Sequence, residues 1–185
     1  MEESLRESEK RTRLIVDTAY DAFIGMDADG LITDWNAQAE TTFGWSREEA
    51  LGKKVSETII PLHHRNGHQK GLKHFLATGE GTVFNKRIEI SALHRDGHEF
   101  PVELSITPIR LKESYLFSAF VHDITERKQA TKALQESESK HRILFNNIAD
   151  PIFIFDQKSN HFLDCNHAVF RIYGYTKDEL KAMTP

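Results

Sequence analysis

Residues 22–35 read AFIGMDADGLITDW, and this stretch decides the fold. AFIGMD and LITDW have the composition of half-buried strands, and Asp29-Gly30 between them supplies a tight hairpin turn. Beyond Trp35 the period changes. Asn36 can cap a short helix from Ala37 to Phe43, Gly44 ends it, and Ser46 with Glu49 forms a capping box for another short helix that stops near Gly52. Pro61 stands where a longer helix begins, and LHHRNGHQKGLKHFLAT then runs toward the terminators Gly79 and Gly81, weakened internally by Gly67 and Gly71. Three runs rich in β-formers follow, FNKRIEISAL, HEFPVELSITPI and SYLFSAFVHDI, joined by the turns HRDGH and LKES. Two strands, several helices and a three-stranded meander, in that order, predict an α+β domain with one five-stranded antiparallel sheet and short helices packed on one face.

The chain also repeats itself. SLRESEKRTRLIVDTAYDAF, from Ser4, returns as ALQESESKHRILFNNIADPIF, from Ala133, so that Arg13 and Arg142, like Asp21 and Asp150, stand 129 positions apart. After one extra residue near Ser159, Asn36 matches Asn166 and Gly44 matches Gly174. Solenoid repeats run at roughly 20 to 50 residues, so this period signals tandem domains. The expected organisation is a leading helix at 1–17, a complete domain at 12–126, a linker helix at 125–147 and the first part of a second domain at 143–185. Strands PIFIFD and HFLDC of that second copy lack a meander, and are expected to be poorly ordered or to borrow an edge.

The two flanking helices are charged, with sparse apolar positions: Leu5, Leu14, Ile15 and Val16 in the first, and Ile124, Ala130, Leu134 and Leu144 in the second, broken by Ser137 and His141. A seam this thin suits a weak parallel coiled coil between two chains, a helix resting on the domain edge, or a solvated linker. A homodimer through the domain and these helices is the expected assembly.

Composition excludes several function classes. Of 185 residues 39% are hydrophobic, and the net charge is −4 with Lys and Arg scattered among Asp and Glu, which offers no surface for nucleic acid or an anionic membrane. No apolar run approaches the roughly 20 residues of a membrane span, and the start MEESLRESEK has no signal-peptide centre, so a cytoplasmic location is expected. The single cysteine, Cys165, rules out an internal disulfide framework and reads as a small hydrophobe.

From 12 to 128 the motifs DAFIGMDADGLITDWNAQAETTFGWSREEALGKKV, HRDGHEFPVELSITPI and FVHDITERK, in this order, resemble the PAS domain family with its trailing PAC segment, and 141–185 resembles a truncated second copy. The resemblance implies a sensory and regulatory module of a larger signal-transduction protein, with a pocket enclosed by sheet and helices and with flanking helices that pass a change onward. It implies an output, a histidine kinase or a cyclic-dinucleotide enzyme, beyond residue 185, and none within the fragment. In the sequence DIT, Asp123 and Thr125 stand where the last strand becomes the exit helix. Either side chain can cap that helix, and the family resemblance makes this joint the transmitter of the signal.

Four of the ten histidines, His63, His64, His68 and His74, fall on the long helix. His64 and His68 have the spacing of a two-imidazole metal grip, but without an HExxH pattern or a third ligand they read as a surface pair. Positions 68, 72 and 75 share one helical face, which places His68, Leu72 and Phe75 toward the sheet. The segment RNGHQKGLKHF resembles the helix of haem-containing PAS oxygen sensors, in which a histidine at the place of His68 is the axial iron ligand. That resemblance makes His68 a haem ligand, with Ile88, Ile90, Leu104 and Phe120 as pocket walls. One departure is that Ile88, beside Arg87, occupies the place of those sensors' distal arginine. The alternatives are a satisfied core histidine, another small molecule, a redox or partner signal, and a ligand-free dimerisation spacer.

Covalent flavin photochemistry needs a cysteine that KKVSETIIP lacks; non-covalent FAD, contacted by Trp35 or Trp45, is the weaker cofactor reading. Gly79 and Gly81 lack the third glycine of a phosphate loop, and no nucleophile elbow, kinase set or cyclase signature is present, so no catalytic residue is expected.

Overall fold

The computed structural model describes residues 2–112, 114–159 and 161–183, and leaves out the side chains of residues 2–5 and 9. The expected contribution of Leu5 to a seam, residue 113 of the turn LKES and the last two residues of the second copy thus lie outside the described residues. The chain divides into two compact units, Met1–Glu126 and Arg127–Pro185.

The first unit begins with α1 (Glu2–Asp17), followed by the hairpin β1 (Ala22–Asp27) and β2 (Ile32–Trp35). Four helices follow: α2 (Ala37–Phe43), α3 (Arg47–Ala50), α4 (Val55–Thr58) and α5 (Leu62–Thr78). The meander is β3 (Arg87–Leu93), β4 (Glu99–Arg110) and β5 (Tyr115–Asp123). All five strands join one antiparallel sheet in the order β2-β1-β5-β4-β3, so the first hairpin inserts beside the last strand.

Local chemistry sets the boundaries. Asn36 Oδ1 accepts from Ala39 N–H at 2.8 Å, and Gly44, at φ 76°, closes α2 in the left-handed conformation that glycine adopts without strain. Ser46 and Glu49 make the reciprocal capping box at α3. The carboxylate of Glu49 also receives both terminal nitrogens of Arg95, at 2.7 and 2.8 Å, which ties the β3–β4 turn to α3.

Strand pairing assigns the two faces of the sheet. Ala22, Val121, Leu104 and Ile88 lie in one cross-strand row, and Ile24, Ala119 and Ile106 in the next. Together with Trp35, Phe43, Phe75, Phe100 and Phe117 they form the core on the inner face. Rings run in two series: Trp35, Phe43 and Phe100 at 5.4 and 5.7 Å, and Phe75 against Phe84, Tyr115 and Phe117 at 4.4, 5.1 and 5.5 Å.

The second unit carries most of α6 (Thr125–Asn147), then β6 (Phe153–Asp156), β7 (His161–Cys165), α7 (His167–Tyr173) and α8 (Lys177–Lys181). β6 and β7 pair with each other, and among the described residues this is their only ladder. Asn166 repeats the bonds of Asn36 to the segment entering the first strand, though not its side-chain helix cap, and the Thr176–Glu179 capping box repeats the Ser46–Glu49 box. No helix among the described residues is long and apolar enough to cross a membrane.

Candidate functional site: the inner face of the sheet and its exit joint

The helix α5 brings His68, Leu72 and Phe75 to one face, as the spacing predicts. Phe75 is buried, and Leu72 packs on the core, close enough that a Cβ on Gly30 would stand 3.7 Å from its Cδ2. His68 is half-buried, and its Nδ1 is fully enclosed without a hydrogen-bond partner. Desolvation pushes the proton affinity of this imidazole below its ordinary value, so the neutral ring is favoured at neutral pH.

The expected walls divide. Leu104 and Ile88 are direct cross-strand partners on the inner face, in the core cluster with Leu72 and Phe75. Phe120 is a correction: it pairs with Ser105 and Phe23 on the opposite face, is 42% exposed, and lays its ring 5.1 Å from that of Phe23. Adjacent strand residues point to opposite faces, so Val121 takes the inner place beside Leu104. Ile90 has the parity of Ile88 but is also 42% exposed, on the edge strand β3. Arg87 points outward and pairs with Glu103 at 3.3 Å.

Elsewhere on α5, His63 and His64 are exposed, with ring centroids 4.1 Å apart, and His64 does not turn inward with His68. Trp35 is buried and donates from Nε1 to Trp45 O at 3.1 Å. Cys165, in the second unit, is a free half-buried thiol whose pKa is raised by burial, which disfavours the reactive thiolate.

At the joint, Asp123 Oδ1 accepts from Thr125 N–H at 2.8 Å and Thr125 Oγ1–H at 2.6 Å. Ile124 between them is 1% exposed and donates its N–H to Pro101 O at 3.1 Å, while Asp123 is the register partner of Val102 on β4. The first residues of α6 are therefore bonded to the sheet through both side chain and backbone.

Comparison with known proteins bears on this arrangement. The family model described as the PAS fold matches residues 10–124. This chain belongs to the PAS family. A second family model, described as a PAS domain, matches residues 139–184. An uncharacterised protein of Azorhizobium caulinodans is 41% identical over 128 residues, 69% of this chain and 17% of that protein. Sensor protein FixL of Bradyrhizobium diazoefficiens is 33% identical over 140 residues, 76% of this chain and 28% of its own length. Sporulation kinase E of Bacillus subtilis is 28% identical over 181 residues, 98% of this chain and 23% of its own length. Among solved structures, the PAS domain of a protein from Colwellia psychrerythraea superposes with a TM-score of 0.54 at 27% identity, covering 63% of this chain and 97% of that one. The chain spans 17% to 28% of the length of these curated relatives. PAS units of this kind are sensory modules, and this one is homologous to those of sensor kinases.

Proposed function

We propose that the PAS unit at 10–124 is the input module of a larger signal-transduction protein, and that it passes a change in sheet and pocket through Asp123 and Thr125 into α6. The observation that carries this reading is the Asp123–Thr125 clasp. It joins the first residue of the exit helix to β5, a strand bonded on both sides by β1 and β4. A shift of the inner face thus reaches α6 through hydrogen bonds rather than through a loose loop. A histidine kinase or cyclic-dinucleotide output and a cytoplasmic location belong to the same reading, in keeping with the named sensor and kinase relatives. So does homodimerisation, supported by exposed Leu14 and Ile15 on α1 and by Phe120 on the outer sheet face. The test is Asp123→Ala in the full-length protein. Its output should lose the response to stimulus while the far-ultraviolet circular dichroism of the variant stays that of wild type, and an unchanged response overturns the assignment.

A second reading, haem ligation by His68, is favoured by one observation: a half-buried imidazole, its neutral form favoured by desolvation, whose enclosed Nδ1 has no partner. The residues fit the group in donor chemistry. His68 would hold the iron, and Leu72, Phe75, Ile88 and Leu104 would supply an apolar lining, with Phe120 outside it. Haem iron, when bound, supplies a site for a diatomic gas; the chain's own part is to offer a deprotonated nitrogen and keep bulk water from it. Reconstitution with haem should give a Soret band that changes in His68→Ala. Absence of the band, or its persistence unaltered in the variant, removes this reading and leaves the sensor module without haem.

A further inference from the structure

The β3–β4 hairpin closes through His94 N–H to His98 O at 2.9 Å and Gly97 N–H to His94 O at 3.0 Å, with Gly97 at φ 95°. This turn brings the side chains of His94, Asp96 and His98 together, with one ligand atom of each lying within 4.8 Å of the others. His94 Nδ1 stands 3.0 Å and His98 Nδ1 2.5 Å from the same oxygen, Asp96 Oδ1. The two imidazoles stack, with centroids 4.7 Å apart and planes 27° from parallel.

The ring of His94 is held with Nε2 against the backbone of Gly44, where a Cβ would meet it at 2.5 Å, so Nδ1 is the nitrogen it offers. That Nδ1 accepts only a long hydrogen bond, from Asp96 N–H at 3.3 Å, so its lone pair is weakly engaged. His94 Nδ1 and Asp96 Oδ1 thus lie 3.0 Å apart, with His98 Nδ1 on the same oxygen, so that three potential ligand atoms converge on one small space. His98 N–H donates to Asp96 Oδ1 at 3.0 Å, which orients the carboxylate within the turn.

We propose that His94, Asp96 and His98 form a binding site for a divalent transition cation. Two imidazole nitrogens and one carboxylate oxygen are the donor set of zinc and its neighbours in the first row, and three protein ligands leave positions for water. The three donors fall within five residues whose backbone is already closed by hydrogen bonds, so little further ordering accompanies binding. A bound cation would brace the turn that Arg95 fastens to α2 and α3, by Arg95 N–H to Phe43 O at 2.9 Å and by the Glu49 ion pair.

The test is titration of the metal-stripped 185-residue chain with zinc against a chromophoric chelator. Wild type should bind a single tight equivalent, and His98→Ala should weaken it by at least about tenfold. His98 is the more exposed of the two histidines, so its variant avoids the packing of His94 on Gly44. A His63→Ala, His64→Ala double variant should bind as wild type does. Zinc should also raise the melting temperature of wild type, and raise that of His98→Ala by less. Equal affinity in His98→Ala, or loss of the tight equivalent in the His63/His64 variant, overturns the assignment.

Discussion

Asn36 Nδ2 donates to Val16 O at 2.9 Å, so a side chain at the head of α2 holds the last turn of α1. The same amide donates to Asp21 O at 3.1 Å and accepts from the N–H groups of Phe23 and Ala39, both at 2.8 Å. All four hydrogen-bonding positions of one carboxamide are used, in a residue 1% exposed.

Asn36→Ala removes a hydrogen-bond partner from one buried and three part-buried backbone groups, and should cost roughly 2–4 kcal/mol. Urea denaturation measures it. A loss below about 0.5 kcal/mol would mean that water replaces the amide without penalty.

Gly44 and Gly52 share a left-handed backbone, at φ 76° and 75°, but differ in surroundings. A Cβ on Gly44 would stand 2.5 Å from His94 Nε2, whereas one on Gly52 meets nothing within 4 Å. Alanine at either position should cost about 1–2 kcal/mol in backbone strain. Gly44→Ala should exceed Gly52→Ala by at least about 1 kcal/mol, because the His94 ring must move. Equal losses in parallel denaturation curves would contradict the packing of His94 on α2.

Burial lowers the proton affinity of His68 below its ordinary 6.5, so the unfolded chain takes up a proton that the folded chain resists. Its contribution to stability is therefore complete above pH 6.5 and is lost as the pH falls from there through the lower folded-state value. In haem-free protein, denaturation at a series of pH values should show this decline, and His68→Leu should have a shallower one. Parallel slopes for the two proteins would place His68 in contact with water.

Leu104→Ala should cost about 2–4 kcal/mol, since it opens a cavity on the inner face, while Phe120→Ala, on the outer face, should cost less despite the larger ring. Guanidinium denaturation of both variants decides the order, and a greater loss for Phe120→Ala would reverse the assignment of faces on β5.

That last contrast shows where the sequence is and is not legible. The hairpin around Asp29-Gly30, the Asn36 cap, the Ser46–Glu49 box and the helix after Pro61 each depend on a few adjacent residues, and each is found where local chemistry puts it. The short helix α4 has no side-chain cap to announce it. β5 is apolar on both faces, with Leu116 and Phe120 of one parity and Phe117 and Val121 of the other, so alternation cannot choose the inner set. The choice comes from register with β4, a contact between segments that meet only in the sheet. His94 and His98 lie likewise inside a turn motif. Helical spacing pairs His64 with His68, whereas the pair that converges does so by hairpin closure.

The asparagine clasp is built twice. Asn166 accepts from Ile152 N–H at 2.9 Å and donates to Asp150 O at 2.9 Å and to Ile148 O at 3.3 Å, and the Thr176–Glu179 box follows it as Ser46–Glu49 follows Asn36. Between these shared polar points the contents differ: Trp35 corresponds to Cys165, and Phe43 to Tyr173. What the duplication copies is a polar chassis, while the side chains between its fixed points change. The same polar frame therefore tolerates different side chains at the positions between its fixed points.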